Sequence, residues 1–329
     1  MLRNLRLLID RRPLATPFRI ARGVRHVADL LVVELEEQGI VGRGEGAPIA
    51  RYGESVESCV AQLEALRGPI EAGMTRAALG KALGPGAARN ALDCALWDLE
   101  ARRAGTSAAA LAAAPAAGAI VTARTVGIDT PAAMAHAAAA LAGEPLVKVK
   151  VDANDPAAQL RAVRQAAPDP TLIVDANEAW SPDLLTAMLP VLAELRVMLL
   201  EQPLPAGADD ALAGLHSATP ICADESCHVA ADVERLAGRY QAVNIKLDKT
   251  GGLTEALALL TAARAAGMQV MTGCMICSSL SIAPAFLVAA QADFADLDGP
   301  LWLADDHADG VRLAGGRLAA PSGDLWGGR

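Results

Sequence analysis

The chain has 329 residues, of which 53% are hydrophobic and 20% are charged, and its formal net charge is −9. A chain of this length and apolar content buries a large core, as one big domain or two ordinary ones, and is not intrinsically disordered. The acidic balance argues against nucleic acid or an anionic membrane surface as a partner, and six cysteines are too few for a disulfide scaffold. We therefore expect a reduced, cytoplasmic protein, and homo-oligomerisation stays open.

Residues 1–115 predict a mixed α+β unit. The segments 2–14 and 29–48 alternate and turn like antiparallel strands. Residues 55–115 then show helical patterns, with Gly105 placed to end a helix.

Residues 116–302 repeat a short β-rich segment followed by an Ala- and Leu-rich stretch. The β-rich segments lie at 120–128, 146–152, 171–177, 196–202, 219–225, 242–248, 269–273 and 293–299. Their spacing of about two dozen residues fits a strand, a helix of three to four turns and short loops. Eight units in a row predict an α/β fold with a parallel barrel. The charge-free stretches 104–123 and 265–292 then belong to this buried structure rather than to membrane spans.

The tail, residues 303–329, returns to short strands and turns. We expect it to complete a capping domain together with residues 1–115, with the barrel of residues 116–302 inserted between the two parts. Two domains joined by a simple linker are the alternative, although no Pro- or Ser-rich linker interrupts the chain.

Polar side chains, most of them charged, stand at the carboxyl ends of six predicted strands, where a parallel barrel places its chemistry. They are Lys148, Lys150, Asp175, Asn177, Glu201, Asp224, Glu225, Lys246, Asp248, Asp296 and Asp298. Solvation explains a single charge at such a position, but charges at six strand ends favour a functional cluster.

Three of these carboxylates, on three adjacent strands, are placed to converge on one point. They are Asp175, Glu201 and Asp224. Oxygen ligands with no His or Cys nearby favour Mg²⁺, or Mn²⁺, over Zn²⁺. Such an ion would act as a Lewis acid toward a bound oxygen.

The lysines supply the complementary chemistry. Lys148 and Lys150 share one face of their strand, and we expect their repulsion, together with the nearby metal ion, to lower an ammonium pKa until one of them acts as a base. Lys246 lies four strands away, on the opposite wall of an eight-stranded barrel. Two lysines facing each other across a substrate Cα predict a 1,1-proton transfer, which is a racemisation or an epimerisation. Structural salt bridges to the acids are the alternative.

Five motifs, in the same order along the chain, resemble those of the enolase superfamily, in its muconate-lactonizing-enzyme subgroup. They are KVK at 148–150, VDAN at 174–177, EQPL at 201–204, ADES at 223–226 and NIKLDKTGGL at 244–253. The resemblance covers nearly the whole chain. It implies a modified (β/α)7β TIM-type barrel with an α+β capping domain formed from the N- and C-terminal segments.

The resemblance also implies roles for the residues at the strand ends. Mg²⁺ would be held by Asp175, Glu201 and Asp224. Lys150 and Lys246 would be the two acid/base catalysts, with Lys148 tuning Lys150. These roles agree with the chemistry inferred from the residues themselves.

The eighth strand distinguishes among the reactions of the subgroup. Asp296 and Asp298 are two residues apart, and a pair of carboxylates favours a cation such as the α-ammonium group of a substrate. This pattern resembles the dipeptide epimerases. A turn-forming Asp before Gly299 and Pro300 is the alternative explanation for Asp298 alone.

Two segments, 17–26 and 48–55, resemble the cap loops that close over the site in this subgroup. The first is rich in arginine, and a guanidinium there suits the γ-carboxylate of a Glu side chain. We expect Arg22 first, and Arg25 second, to make this contact, as in a resemblance to L-Ala-D/L-Glu epimerases. A solvated surface charge is the alternative for each.

One residue departs from the pattern of the subgroup. Cys277 stands where many members carry a Glu, which puts in doubt any polar contact of that Glu. Cys274 and Cys277 form a C-x-x-C, but a single motif of this kind is weak evidence for zinc or redox chemistry. Small packing side chains are the favoured interpretation.

The sequence thus predicts an isomerase that uses Mg²⁺ to epimerise L-Ala-D/L-Glu-type dipeptides at the Cα of the C-terminal residue, in murein peptide metabolism. Within the same superfamily, the alternatives are an N-acylamino-acid racemase, an o-succinylbenzoate synthase or a cycloisomerase. A catalytically silent metal-binding barrel is a third reading, although no catalytic lysine or metal-type acid is missing.

Overall fold

The computed structural model describes residues 3–20, 23–115 and 118–328, apart from the side chains at 18–20 and 23–24. The first part of the chain forms a three-stranded antiparallel sheet followed by helices. The strands are β1 (Asn4–Ile20), β2 (Gly23–Glu37) and β3 (Ile40–Gly46). The helices are α1 (Val56–Ala65), α2 (Arg67–Glu71), α3 (Arg76–Ala82), α4 (Ala87–Arg103) and α5 (Ala108–Leu111).

Strands β1 and β2 form one long hairpin, paired from Asn4 opposite Glu36 to Ile20 opposite Gly23. The pairing is irregular between Pro13 and Phe18, as expected where proline lacks an N–H for the ladder. The described residues of the segment 17–26 are therefore paired strand residues rather than an irregular loop.

Strand β3 approaches α4 closely because it carries a glycine at every second position facing the helix. A Cβ at Gly42, Gly44 or Gly46 would lie 2.1–2.4 Å from a backbone oxygen of α4. The oxygens belong to Ala95, Ala91 and Ala87. Small residues every four positions lie on one helix face, so sheet and helix pack backbone to backbone.

Gly44→Ala should therefore destabilise the protein, because its methyl group would lie 2.1 Å from the Ala91 oxygen and sheet and helix must separate. We expect a loss of about 1–3 kcal/mol in the free energy of unfolding, measured by urea denaturation. Gly80→Ala is the matched control. Gly80 lies in α3 with open space at its Cβ, and alanine favours a helix there. Equal stability of Gly44→Ala and the wild type would contradict this account.

The second part of the chain forms an eight-stranded parallel sheet. The short strand β4 (Ile120–Val121) precedes it. The eight strands are β5 (Arg124–Val126), β6 (Leu146–Lys150), β7 (Thr171–Asp175), β8 (Val197–Glu201), β9 (Ile221–Ala223), β10 (Ala242–Ile245), β11 (Gln269–Gly273) and β12 (Phe294–Asp296). Hydrogen bonds join the two ends of the sheet, from Ala123 N to Ala295 O at 2.8 Å and from Leu297 N to Thr122 Oγ1 at 2.9 Å. The sheet is thus a nearly closed barrel, as predicted.

Helices cover the barrel between most of its strands. They are α6 (Pro131–Ala139), α7 (Pro156–Ala166), α8 (Pro182–Glu194), α9 (Val233–Leu236), α10 (Leu247–Thr250), α11 (Leu253–Ala265) and α12 (Ser279–Ala289). The prediction of a helix between β8 and β9 is wrong, because that connection has only a 3-10 turn at Asp210–Leu212. Pro203, Pro205 and two glycines interrupt it. No described helix is long and apolar enough to cross a membrane.

The tail contacts both parts of the molecule. Strands β13 (Arg312–Ala314) and β14 (Arg317–Ala319) form a hairpin that pairs with β4, so the expected strand 120–128 is in fact two short strands. On the cap, Trp326 Nε1 donates to Cys94 O at 3.1 Å and Gly327 N donates to Asp98 Oδ1 at 2.6 Å. The domain boundaries at 115/116 and 302/303 stay a prediction.

Candidate functional site

A cavity of about 400 Å³ opens at the carboxyl ends of the barrel strands, under the cap. Its lining includes Lys148, Lys150, Asp224, Lys246, Asp296 and Asp298 from the barrel, and Arg25, Arg51 and Tyr52 from the cap. Parallel strands end at the same rim, which is why residues far apart in the sequence meet here.

Lys148 lies at the centre of the carboxylates. Its Nζ is 2.7 Å from Glu201 Oε2, 2.8 Å from Asp296 Oδ2 and 3.1 Å from Asp175 Oδ2. The side chain of Lys148 is 2% exposed, so these contacts are shielded from water. One ammonium group therefore balances acids from three strands.

Lys150 ends β6 and Lys246 directly follows β10, and these strands lie four apart in the eight-stranded barrel, on opposite sides of the cavity. Lys150 Nζ donates to Asp175 Oδ2 at 2.8 Å and to Asn177 Oδ1 at 2.9 Å. Lys246 Nζ donates to Asp224 Oδ2 at 2.7 Å. Each lysine is thus fixed by a different carboxylate.

Among the side chains alone, the carboxylates around Lys148 oppose the lowering of its pKa that lysine repulsion and a nearby metal ion predict. Burial lowers the pKa of Lys148, but Asp175, Asp296 and Glu201 outweigh it and raise this pKa well above its usual value. The pKa of Lys246 is also raised, since Asp224 and Glu201 outweigh its burial.

The three predicted metal-type acids are buried, and their pKa values respond to their partners. Burial, and then Asp175, raise the pKa of Glu201 to about 7. Despite burial, Lys148 and Lys150 lower the pKa of Asp175. Burial likewise opposes the lowering of the Asp224 pKa by its lysine partners, which prevail.

The carboxylate oxygens of Asp175, Glu201 and Asp224 suit a hard divalent cation. In this structure each of these side chains contacts a lysine instead. In the part of the chain that the structure describes, no three Asp, Glu, His or Cys side chains surround one point as metal ligands. Glu201 Oε2 and Asp224 Oδ1 lie within ion-pair distance of a lysine but without hydrogen-bond geometry. Buried carboxylate oxygens left in this state fit an oxygen-seeking ion such as Mg²⁺.

Asp296 and Asp298 both face the cavity. Asp296 Oδ1 has no hydrogen-bond partner among the described residues, and Asp298 Oδ2 accepts from Thr125 Oγ1 at 2.9 Å. Burial, and then Asp296, raise the pKa of Asp298 to about 6. The side chain of Asp298 makes no capping bond to the turn that follows, which disfavours a purely turn-forming role.

The two predicted cap-loop arginines have different outcomes. Arg25 lines the cavity. Arg22 lies outside the described residues, so its predicted contact stays a prediction.

Several residues of the site make contacts that the sequence did not predict. Asn177 binds Lys150, while Lys249 Nζ lies 2.6 Å from Asp224 Oδ1 and also contacts the Asp224 carbonyl oxygen. Arg51 pairs with Glu178 across the mouth. Lys249 is in the NIKLDKTGGL motif, which was a usable signal, whereas nothing local links Arg51 to a residue 127 positions away.

The six cysteines are free. Cys277 is fully buried, and both a hydrogen bond with Cys274 and burial raise its pKa well above the usual value. A thiol held neutral in this way is a packing group, not a reactive one. This agrees with the packing role favoured by the sequence.

The fold and the strand-end cluster define a class, that of capped parallel barrels with acid/base residues at the barrel mouth. Residues 3–112 match the mandelate racemase / muconate lactonizing enzyme N-terminal domain, and residues 130–324 match the enolase C-terminal domain-like family. The chain belongs to this family of the enolase superfamily.

Two curated relatives span almost the whole chain. An L-Ala-D/L-Glu epimerase of Escherichia coli is 51% identical over 319 residues, covering 96% of this chain and 99% of the relative. An N-acetyl-D-glutamate racemase of Pseudoalteromonas is 44% identical over 303 residues, covering 91% and 95%.

Solved structures agree with these relatives. An enolase family member from Agrobacterium tumefaciens, with bound sodium and L-Ala-L-Glu, is 46% identical with a TM-score of 0.96, covering 99% of this chain and 100% of that one. A dipeptide epimerase from Enterococcus faecalis, in complex with Mg and L-Leu-L-Tyr, is 30% identical with a TM-score of 0.90, covering 100% and 99%.

Proposed function

We propose that this protein is an isomerase that epimerises dipeptides of the L-Ala-D/L-Glu type at the Cα of the C-terminal residue. The observation that carries the proposal is the pair of lysines, Lys150 and Lys246, on opposite walls of one cavity and each fixed by its own carboxylate. One lysine takes the Cα proton from one face while the other returns a proton to the opposite face. The epimerase relative and the dipeptide-bound structure support the substrate class.

The acids of the cavity would hold the substrate and its ion. Asp175, Glu201 and Asp224 would hold Mg²⁺, with Mn²⁺ as a substitute. When bound, the ion supplies positive charge that stabilises the carboxylate of the substrate as Cα loses its proton. Lys148, between Asp175 and Glu201, would favour the ionised form of both acids and balance charge beside Lys150.

The ends of the dipeptide would meet opposite charges. Asp296 and Asp298 suit the N-terminal ammonium group, since Asp296 Oδ1 is left without a hydrogen bond among the described residues. Arg22 stays the first candidate for the γ-carboxylate of a C-terminal Glu, and Arg25, which lines the cavity, is the second.

The direct test is incubation of the protein with Mg²⁺ and L-Ala-L-Glu in D₂O. Epimerisation adds one deuteron at Cα and yields L-Ala-D-Glu, which NMR and mass spectrometry detect. An elimination or a cycloisomerisation would not produce this pair of signals. Absence of both exchange and a second epimer would refute the proposal.

An N-acetylglutamate racemase is a second candidate function, because one relative has this activity. The buried carboxylates of Asp296 and Asp298 favour an ammonium group over an acetyl group on the substrate. Side-by-side assays with L-Ala-L-Glu and N-acetyl-L-Glu distinguish them by kcat/KM.

Mg²⁺ binding should depend on the three acids independently of turnover. Asp224→Asn is expected to weaken Mg²⁺ binding more than about 10-fold in isothermal titration calorimetry, because it removes one ligand charge. Glu194→Gln, at an exposed site on α8, is the matched control. Unchanged affinity in Asp224→Asn would remove this acid from the ion site.

We also propose a cytoplasmic place for this reaction in the metabolism of murein-derived dipeptides, as the substrate class suggests. Residues 1–115 and 303–329 would form the cap and residues 116–302 the barrel. The contacts of residues 326 and 327 with α4 support this division.

A further inference from the structure

The turn after β7 has an unusual backbone. Asn177 and Glu178 follow each other with φ of 45° and 68°, in the left-handed region that residues with a side chain rarely adopt. Such a conformation persists only where surrounding contacts impose it. The contacts of Asn177 and Glu178 therefore show which groups impose this backbone conformation.

Inside the barrel, the turn is anchored to the site. Asn177 N donates to Asp175 Oδ1 at 2.9 Å, and Asn177 Oδ1 accepts from Lys150 Nζ at 2.9 Å. The position of the Asn177 amide thus helps to set the position of the Lys150 ammonium group.

Outside the barrel, the same turn is anchored to the cap. Arg51 donates to the two carboxylate oxygens of Glu178, from Nε at 3.0 Å and from Nη2 at 2.9 Å. Ala206 N adds a bond to Glu178 Oε1 at 2.8 Å, and the Glu178 side chain is only 9% exposed. A two-pronged guanidinium–carboxylate contact fixes direction as well as distance.

Arg51 belongs to a short cap turn, Ala50–Tyr52, that lies over the cavity. The next residue, Tyr52, packs edge to face on the ring of His228, with ring centroids 4.9 Å apart. The cap turn is thus attached to barrel loops after both β7 and β9.

We propose that Arg51 and Glu178 are positioning residues that couple seating of the cap turn to the placement of Asn177 and Lys150. The inference rests on the two-lysine function proposed above. Lys246 is fixed by Asp224 on the other wall, whereas the hydrogen bonds of the Arg51–Glu178 pair lead directly to the Asn177 turn, so the pair acts more directly on Lys150 than on Lys246.

The stronger expected effect on Lys150 than on Lys246 gives a measurement that a merely structural role would not change. In D₂O, deuterium appearing in the recovered substrate reports removal of the Cα proton without completed inversion. Each epimer presents its proton to one lysine, so Lys150→Ala and Lys246→Ala identify which epimer depends on which base. The overall kcat/KM in the two directions must change together, since the equilibrium constant is fixed.

The test variants are Arg51→Lys, which loses the two-pronged contact, and Glu178→Gln, which keeps the shape of the side chain. We expect exchange into the recovered Lys150-dependent epimer to fall about 10- to 100-fold, as for a small misplacement of a reacting group. Exchange into the Lys246-dependent epimer should change less than about 3-fold. Melting temperatures check that both variants are folded.

The controls are Arg161→Lys and Glu194→Gln, which alter an exposed ion pair of 2.7 Å between α7 and α8, away from the cavity. These should match the wild type for both epimers. An equal loss for both epimers, or no loss, in Arg51→Lys and Glu178→Gln overturns the inference while leaving the function intact. Absence of exchange in the wild type overturns the proposed function, and the inference with it.

Discussion

Lys150→Ala and Lys246→Ala are each expected to abolish epimerisation of L-Ala-L-Glu in both directions. Each variant lacks one of the two groups that exchange the Cα proton, and removal of a single acid/base group costs about 10²- to 10⁴-fold in rate. Each should nevertheless retain deuterium exchange into one epimer, and the retained epimer should differ between the two variants. Initial rates in D₂O, followed by NMR with either pure epimer, measure this.

The pattern of loss matters more than its size. Epimerisation that persists in either variant would refute a two-base mechanism, and retention of the same epimer by both would mean that one lysine does not face Cα. Arg161→Lys, an exposed change on α7, controls for handling and expression.

Asp298→Asn is expected to lower kcat/KM for L-Ala-L-Glu about 10- to 100-fold, since hydrogen bonds to charged groups are worth about 1.5–3 kcal/mol. N-acetyl-L-Glu lacks the ammonium group, so kcat/KM for this substrate should not fall. Asp298 is the better probe of the pair, because Asp296 also binds Lys148 and its loss would disturb the metal-type acids.

Asp210→Asn is the matched control, because Asp210 is 83% exposed in its ion pair with Arg239. The comparison is made by steady-state kinetics at a pH above 7, where a carboxyl with a pKa of about 6 is ionised. An equal loss with both substrates would contradict the assignment of Asp298 to the ammonium group.

The sequence predicts much of the site because a parallel barrel leaves little freedom in where strand ends point. Lys150, Asp175, Glu201 and Lys246 close or directly follow hydrophobic strands, so their convergence follows from strand order alone. The motifs that resemble those of the enolase superfamily contain the same four residues and so indicate them independently.

Other features depend on contacts that no local pattern records. The raised pKa of Lys148 follows from how many carboxylates surround this one side chain, which only the folded arrangement reveals. The Arg51–Glu178 pair joins two parts of the chain that are not adjacent strands. The missing helix between β8 and β9 was predictable, since prolines and glycines occupy that connection.

The docking of the tail on α4 has a consequence for how the chain reaches its final state. Helix α4 is synthesised well before Trp326 and Gly327, which lie 232 and 229 positions beyond their partners in the helix and bind the Cys94 oxygen and the Asp98 carboxylate. N-terminal regions generally begin to fold during synthesis. Here the Asp98 carboxylate and the Cys94 carbonyl of the helix must wait for these partners, so the finished interface forms only after the whole barrel sequence between them has been synthesised.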